Sequence, residues 1–165
     1  MRVAAIRAAV PLTGDDLLAR WRQQTDVYPD VLRHRMVERY LQPDRLDGWH
    51  LRHVFVARGD LLALHDLLVR AQRCVLGALH GLNRVFLSNP SLKWERAMVS
   101  RFPLRPPDLL ARLAATWTAD LAARAPGMAS LLVDTIDLAE QELAHPLTET
   151  RETLERHRPR LAPPP

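Results

Sequence analysis

The side chains of this chain that could handle a phosphate gather in one stretch, from Arg73 to Lys93. Lys93 is the sole lysine: of 23 Lys plus Arg, every other one is Arg. A compact ammonium on a flexible stem differs from the planar fork used everywhere else, so position 93 suits a point contact. It follows Asn89-Pro90-Ser91, a good cap and first turn, where helix amides and Lys93 could hold an anion together. Ten residues earlier, Asn83 interrupts an apolar rhythm. An amide buried there either clamps a neighbouring backbone or faces a site, because leaving it unpaired costs about 1–3 kcal/mol. Arg73 and His80 have an Arg-x6-His spacing that could cleave RNA without metal, the imidazole as acid and base and the guanidinium steadying phosphorane charge. Arg58 with His65 repeats the spacing, and Arg151 with His157 is one residue shorter. Asp66, Arg73, Gly77, His80 and Arg84 also share one helical face. That face is either a solvated stripe or, because Gly77 carries no side chain, one that a ligand or partner backbone approaches.

Other chemistries lack their residues. There is no Gly-rich phosphate loop, no Gly-x-Ser-x-Gly elbow, no Cys pair and no His-Glu-x-x-His helix. Asp44/Asp47 and Asp134/Asp137 stand three apart without a phosphate cradle, and read as solvated or capping carboxylates. Neither a metal nor an intrinsic cofactor is expected. Cys74 is the only cysteine, so the chain forms no internal disulfide. A reducing cytoplasm suits it, and its apolar neighbours favour a buried hydrophobe over a catalytic thiol. No apolar run approaches the roughly 18 residues that span a bilayer. A net charge of +4 permits contact with phosphates. The arginines are scattered, however, and no aromatic residues alternate with them as a base-stacking platform would require, so no specific nucleic-acid motif is expected.

The elements that position these residues read as helices. Gly14-Asp15-Asp16 opens one with Leu17, Leu18 and Trp21, and Pro29 precedes another with Val31 to Leu41. Residues 44–58 suit either a helix or, at Val54-Phe55-Val56, a short strand. From Gly59 an unbroken three-four rhythm of Leu61, Leu64, Leu68, Ala71, Val75, Leu79, Leu82 and Phe86 predicts a long central helix over about 59–87. A short helix from about Ser91 carries Lys93, Trp94 and Met98. Pro103, Pro106 and Pro107 form a connector to a helix with Leu110, Leu113, Trp117 and Leu121, which Ala125-Pro126-Gly127 is expected to break. The expected fold is all-α, a single bundle of about six helices over 1–146, with 1–27 a helix or a linker remnant. Residues 147–165 read as a charged helical arm with a Pro-rich tail.

Leu79-His80-Gly81-Leu82-Asn83-Arg84-Val85-Phe86-Leu87, then Lys93-Trp94, then Pro103-Leu104-Arg105-Pro106-Pro107-Asp108, resembles the C-terminal helical domain of bacterial nucleotidyltransferase-like proteins. Tyr28-Pro29-Asp30 and Arg58-Gly59-Asp60 look similar to it too, so the likeness runs over about 28–115. The resemblance implies a cleft shared with a catalytic half. Lys93 would approach nucleotide phosphates, Asn83 and Arg84 would shape the same wall, and Asp60 could touch the acceptor. The Gly-Ser loop and paired carboxylates of that catalytic half are not in these residues, so the nucleoside triphosphate and its Mg2+ would need a separate catalytic chain. Met1 would then be either a true start or an internal one. The alternatives are a ribonuclease similar to the higher eukaryotes and prokaryotes nucleotide-binding bundles, acting as a homodimer through Arg73 and His80, and a helical protein-interaction module.

Overall fold

A computed structural model describes residues 3–87 and 95–156. Among them the chain is helical with no strand: α1 Val3–Ala8, α2 Asp15–Gln24, α3 Asp30–Tyr40, 3-10 turns at Pro43–Leu46 and Trp49–Leu51, α4 Arg52–Arg58, α5 Leu61–Leu82, α6 Glu95–Val99, α7 Leu109–Thr118, α8 Leu121–Leu143 and α9 Thr148–Glu155. The expected bundle of about six helices is therefore divided more finely. The extra pieces are short: the two 3-10 turns and α4 occupy residues 43–58, where a helix or a strand had been equally compatible with the pattern.

α5 is the spine. Its buried residues run from Leu64 through Leu82 and become continuous from Cys74 onward, because α3 and α8 pack against it and between them leave little of its C-terminal half in contact with water. Small residues make that enclosure possible. The ring of Tyr40 on α3 lies directly on Gly77, and Met36 Cβ would stand 2.8 Å from a Cβ at Gly81. α3 and α5 run antiparallel: Arg33 meets Leu82, Met36 meets Gly81, and Tyr40 meets Gly77. Gly77 thus admits an aromatic ring from the same fold, and the ring fills the space that a ligand or partner would have needed.

α5 ends at Leu82, five residues before the expected limit, and the backbone shows why. Val85 N–H donates to His80 O at 3.0 Å and Arg84 N–H to Gly81 O at 3.0 Å, the paired bonds of a Schellman turn. Arg84 occupies the left-handed position of that turn, with φ 55°. Glycine usually fills it, and Arg there costs about 1 kcal/mol. Phe86, in helical register by sequence, is carried out of the helix by this reversal.

α8 corrects the expected break at Pro126. It runs from Leu121 to Leu143 with Pro126 inside. The proline lies on the exposed side one turn and a half into the helix, where the carbonyl it cannot pair, that of Ala122, lies on an exposed residue. Ala125, Met128, Leu131, Leu132, Thr135, Ile136 and Ala139 keep the buried stripe unbroken past it. α9 is docked: Leu154 is buried, and the Thr150 hydroxyl donates to Leu41 O. Arg151 holds it to α8 through Glu140 and Asp137, each at 2.5 Å. Arg33 ties three helices, donating to Leu82 O at 3.3 Å and pairing with Glu142 at 2.8 Å. No helix among the described residues is long and apolar enough to cross a membrane.

Candidate functional site

At the C-terminal end of α5 the Schellman turn, α1 and the segment before α3 enclose a pocket of about 330 Å3. Arg7, Arg84 and Arg101 line it, with Asp26, Tyr28, Val85 and Phe86. The reversal at Arg84 is what builds it, since it turns Phe86 back against Tyr28, with ring centroids 4.7 Å apart at 40°. Arg84 pairs with Asp30 at 2.5 Å, and Arg7 donates to Thr25 O at 2.5 Å while lying 3.7 Å from Asp26. Tyr28 is almost fully covered, and burial pushes its phenol up to about 12 even though Arg84 pulls the other way. The phenol is therefore a neutral hydrogen-bonding group, and the three guanidinium groups supply the charge.

Asn83 sits behind this wall and takes the first of its two sequence alternatives, the backbone clamp. Its Nδ2 donates to Leu79 O at 2.8 Å and Leu104 O at 2.7 Å, and its Oδ1 accepts from Leu104 N–H at 2.8 Å. The side chain thus fastens the Pro-rich connector to the end of α5. Asn83 positions Arg84 and has no free donor aimed into the pocket. Lys93, with Trp94, lies outside the described residues.

The other anticipated residues are dispersed. Asp60 stands at the N-cap position at the opposite end of α5, without a side-chain capping bond and about 33 Å away along a 22-residue helix, so it shares no site with Arg84. Arg73 is exposed and faces a different cleft, whereas His80 is buried. His80 Nδ1–H donates to Val85 O at 2.9 Å, and Nε2 is buried without a partner among the described residues. The ring stands edge-on to Phe102 at 5.0 Å. An imidazole sealed in this way holds the Schellman turn closed and has no route to an RNA 2′-hydroxyl, so the arrangement gives the Arg73/His80 pair no ribonuclease geometry. Asp66, Arg73 and Arg84 remain exposed while Gly77 and His80 are buried, so the shared face is two environments. Asp134 pairs with Arg112 at 2.6 Å and Asp137 with Arg151, and no metal-holding group of His, Cys, Asp and Glu occurs among the described residues.

Burial lowers the His80 pKa from the ordinary 6.5, with the nearby Arg101 charge adding to it against the Val85 hydrogen bond. The folded protein therefore binds this proton less readily than the unfolded chain. Stability is expected to be unaffected by His80 above pH about 6.5 and to fall as pH drops below it toward the depressed folded value. Urea midpoints measured from pH 8 to 5 check this, with His80→Gln flattening the slope.

Sequence reasoning did not single out Arg7, Tyr28, Phe86 and Arg101 as site residues. A signal for two of them was present, since the quoted strings 28–30 and 79–87 are the segments that meet here through Tyr28–Phe86 and Asp30–Arg84. α1, packed on α2, brings Arg7 to the pocket, which no spacing predicts.

No curated protein and no solved structure matches this chain. Residues 2–95 match the family described as Domain of unknown function (DUF4037). The match covers more than half of the 165 residues and includes every lining residue of the pocket except Arg101. The chain belongs to this DUF4037 family.

Proposed function

We propose that this chain is the nucleotide-binding helical half of a nucleotidyltransferase-like protein, and that the pocket at the end of α5 receives the nucleotide phosphates. The observation that carries the reading is Arg84. A strained left-handed backbone, at a position where glycine costs nothing, is kept for a side chain whose guanidinium enters a pocket already lined by Arg7 and Arg101. Guanidinium forks grip phosphate oxygens with two parallel bonds, and the Tyr28–Phe86 pair offers an apolar wall beside them. Lys93 adds a fourth cation in the resemblance. These residues bind and orient. Phosphoryl or nucleotidyl transfer also requires Mg2+ held by carboxylates, which a catalytic half would contribute. Asp60 has no part in this pocket, and Asn83 acts through the backbone it clamps.

Nucleoside triphosphate with Mg2+ is expected to raise the melting temperature. Lys93→Ala removes the part of the rise that this pocket supplies, and Lys93→Arg impairs it because the fork replaces a point charge. Absence of any rise at millimolar triphosphate refutes the reading.

A further inference from the structure

A second basic cleft lies at the other end of the α3–α5 contact. It encloses about 440 Å3, and Arg39 and Tyr40 from α3, Arg45 from the first 3-10 turn, and Arg70 and Arg73 from α5 surround it. Four guanidinium groups face one lining carboxylate, Asp44. Arg70 is partly engaged, 3.0 Å from Asp66 and donating to Asp47 O at 3.0 Å. Arg39, Arg45 and Arg73 have no ion-pair or hydrogen-bond partner among the described residues. Three separate elements thus bring like charges to one concavity, where a bound anion would relieve their repulsion.

Tyr40 is pinned on Gly77, and the buried Cys74 closes the floor. Burial pushes the Cys74 thiol up to about 12, with Arg45 and Arg70 both pulling it down, so the two guanidinium groups act on one point from different elements. The thiol stays protonated and the cleft keeps its positive charge.

We propose that this cleft is a second, separate binding site, for a small ligand carrying at least two linked phosphate groups. Four arginines less one carboxylate leave a formal charge of +3 in the lining, and Asp66, outside it, pairs with Arg70 through an exposed contact that offsets little of that charge. One phosphate, with about 1.5 to 2 negative charges, leaves part of that uncompensated, whereas a diphosphate balances it. The volume also suits a small molecule.

Calorimetric titration of the full chain with inorganic pyrophosphate at fixed ionic strength tests it. One pyrophosphate per chain is expected at this cleft and is retained in Arg84→Gln protein, whose nucleotide pocket is disabled; it binds at least about tenfold more tightly than orthophosphate or sulfate. Arg73→Gln, at an exposed position, weakens it about tenfold, and Arg45→Gln with Arg73→Gln removes it, circular dichroism confirming the helical fold. Arg84→Gln leaves it unchanged, which separates this site from the nucleotide pocket: triphosphate binding that Arg84→Gln leaves undiminished, with pyrophosphate binding still lost to the double substitution, refutes only the nucleotide pocket. No binding at millimolar pyrophosphate, equal affinity for sulfate, insensitivity to the double substitution, or binding of an oligouridylate but not pyrophosphate each overturns the proposal.

Discussion

Alanine at Gly77 is expected to destabilise the protein by about 3 kcal/mol, a fall of about 10 °C in melting temperature. A Cβ there would overlap the Tyr40 ring at Cγ, Cδ1 and Cε1. The ring must then leave α5, exposing Cys74 and Leu76 beneath the α3 crossing and opening the arginine cleft. Helix propensity pulls the other way, since alanine within a helix is favoured over glycine by about 1 kcal/mol. The sign therefore depends on Tyr40. In a Tyr40→Ala background the clash is gone, and Gly77→Ala becomes neutral or stabilising. A double-mutant cycle by thermal unfolding reads this reversal directly.

The second large effect belongs to Asn83. Asn83→Ala removes three hydrogen bonds and leaves the N–H and C=O of Leu104 unpaired at a partly buried position. A loss of about 2–4 kcal/mol follows. Asn83→Asp keeps the bond from Leu104 N–H but sets a carboxylate against two carbonyls, so it recovers little. Hydrogen exchange separates this substitution from a general loss of stability: Leu104 N–H should lose protection far beyond the amides of α8, because the connector detaches while α5 and α8 stay packed.

These two residues also show how far the sequence could be read. Its apolar period placed α5, because a helix enclosed on several sides repeats leucine and alanine at every third or fourth position. It could not place the end of α5. Phe86 continues the rhythm, and the reversal at Arg84 uses a residue that ordinarily avoids the left-handed region. Pro126 misled in the opposite direction, since a proline near the start of a solvent-facing helix loses one bond that water replaces. Asn83 was legible as a residue with two uses, but its partner, Leu104, is 21 residues away and only the fold selects it. The basic cleft on Arg39, Arg45, Arg70 and Arg73 was not legible at all: scattered arginines look alike until three elements converge.

The candidate nucleotide pocket shares this dependence on convergence. Tyr28–Phe86 and Asp30–Arg84 join two short strings, and the turn is strained at Arg84, which lines the pocket. A fold selected for stability alone would place glycine at 84. Its Asp30 ion pair is largely exposed on both sides and contributes little, so it does not offset the strain.

The decisive measurement is the melting temperature of wild-type protein and Arg84→Gly, each with and without millimolar Mg2+-ATP. Wild type should be stabilised by the nucleotide. Arg84→Gly should melt at the same temperature or higher when free, the strain relieved, and show a smaller rise with nucleotide, which vanishes when Arg45→Gln and Arg73→Gln also disable the second cleft. Equal nucleotide shifts in both proteins, or none in wild type, would contradict the assignment of this pocket.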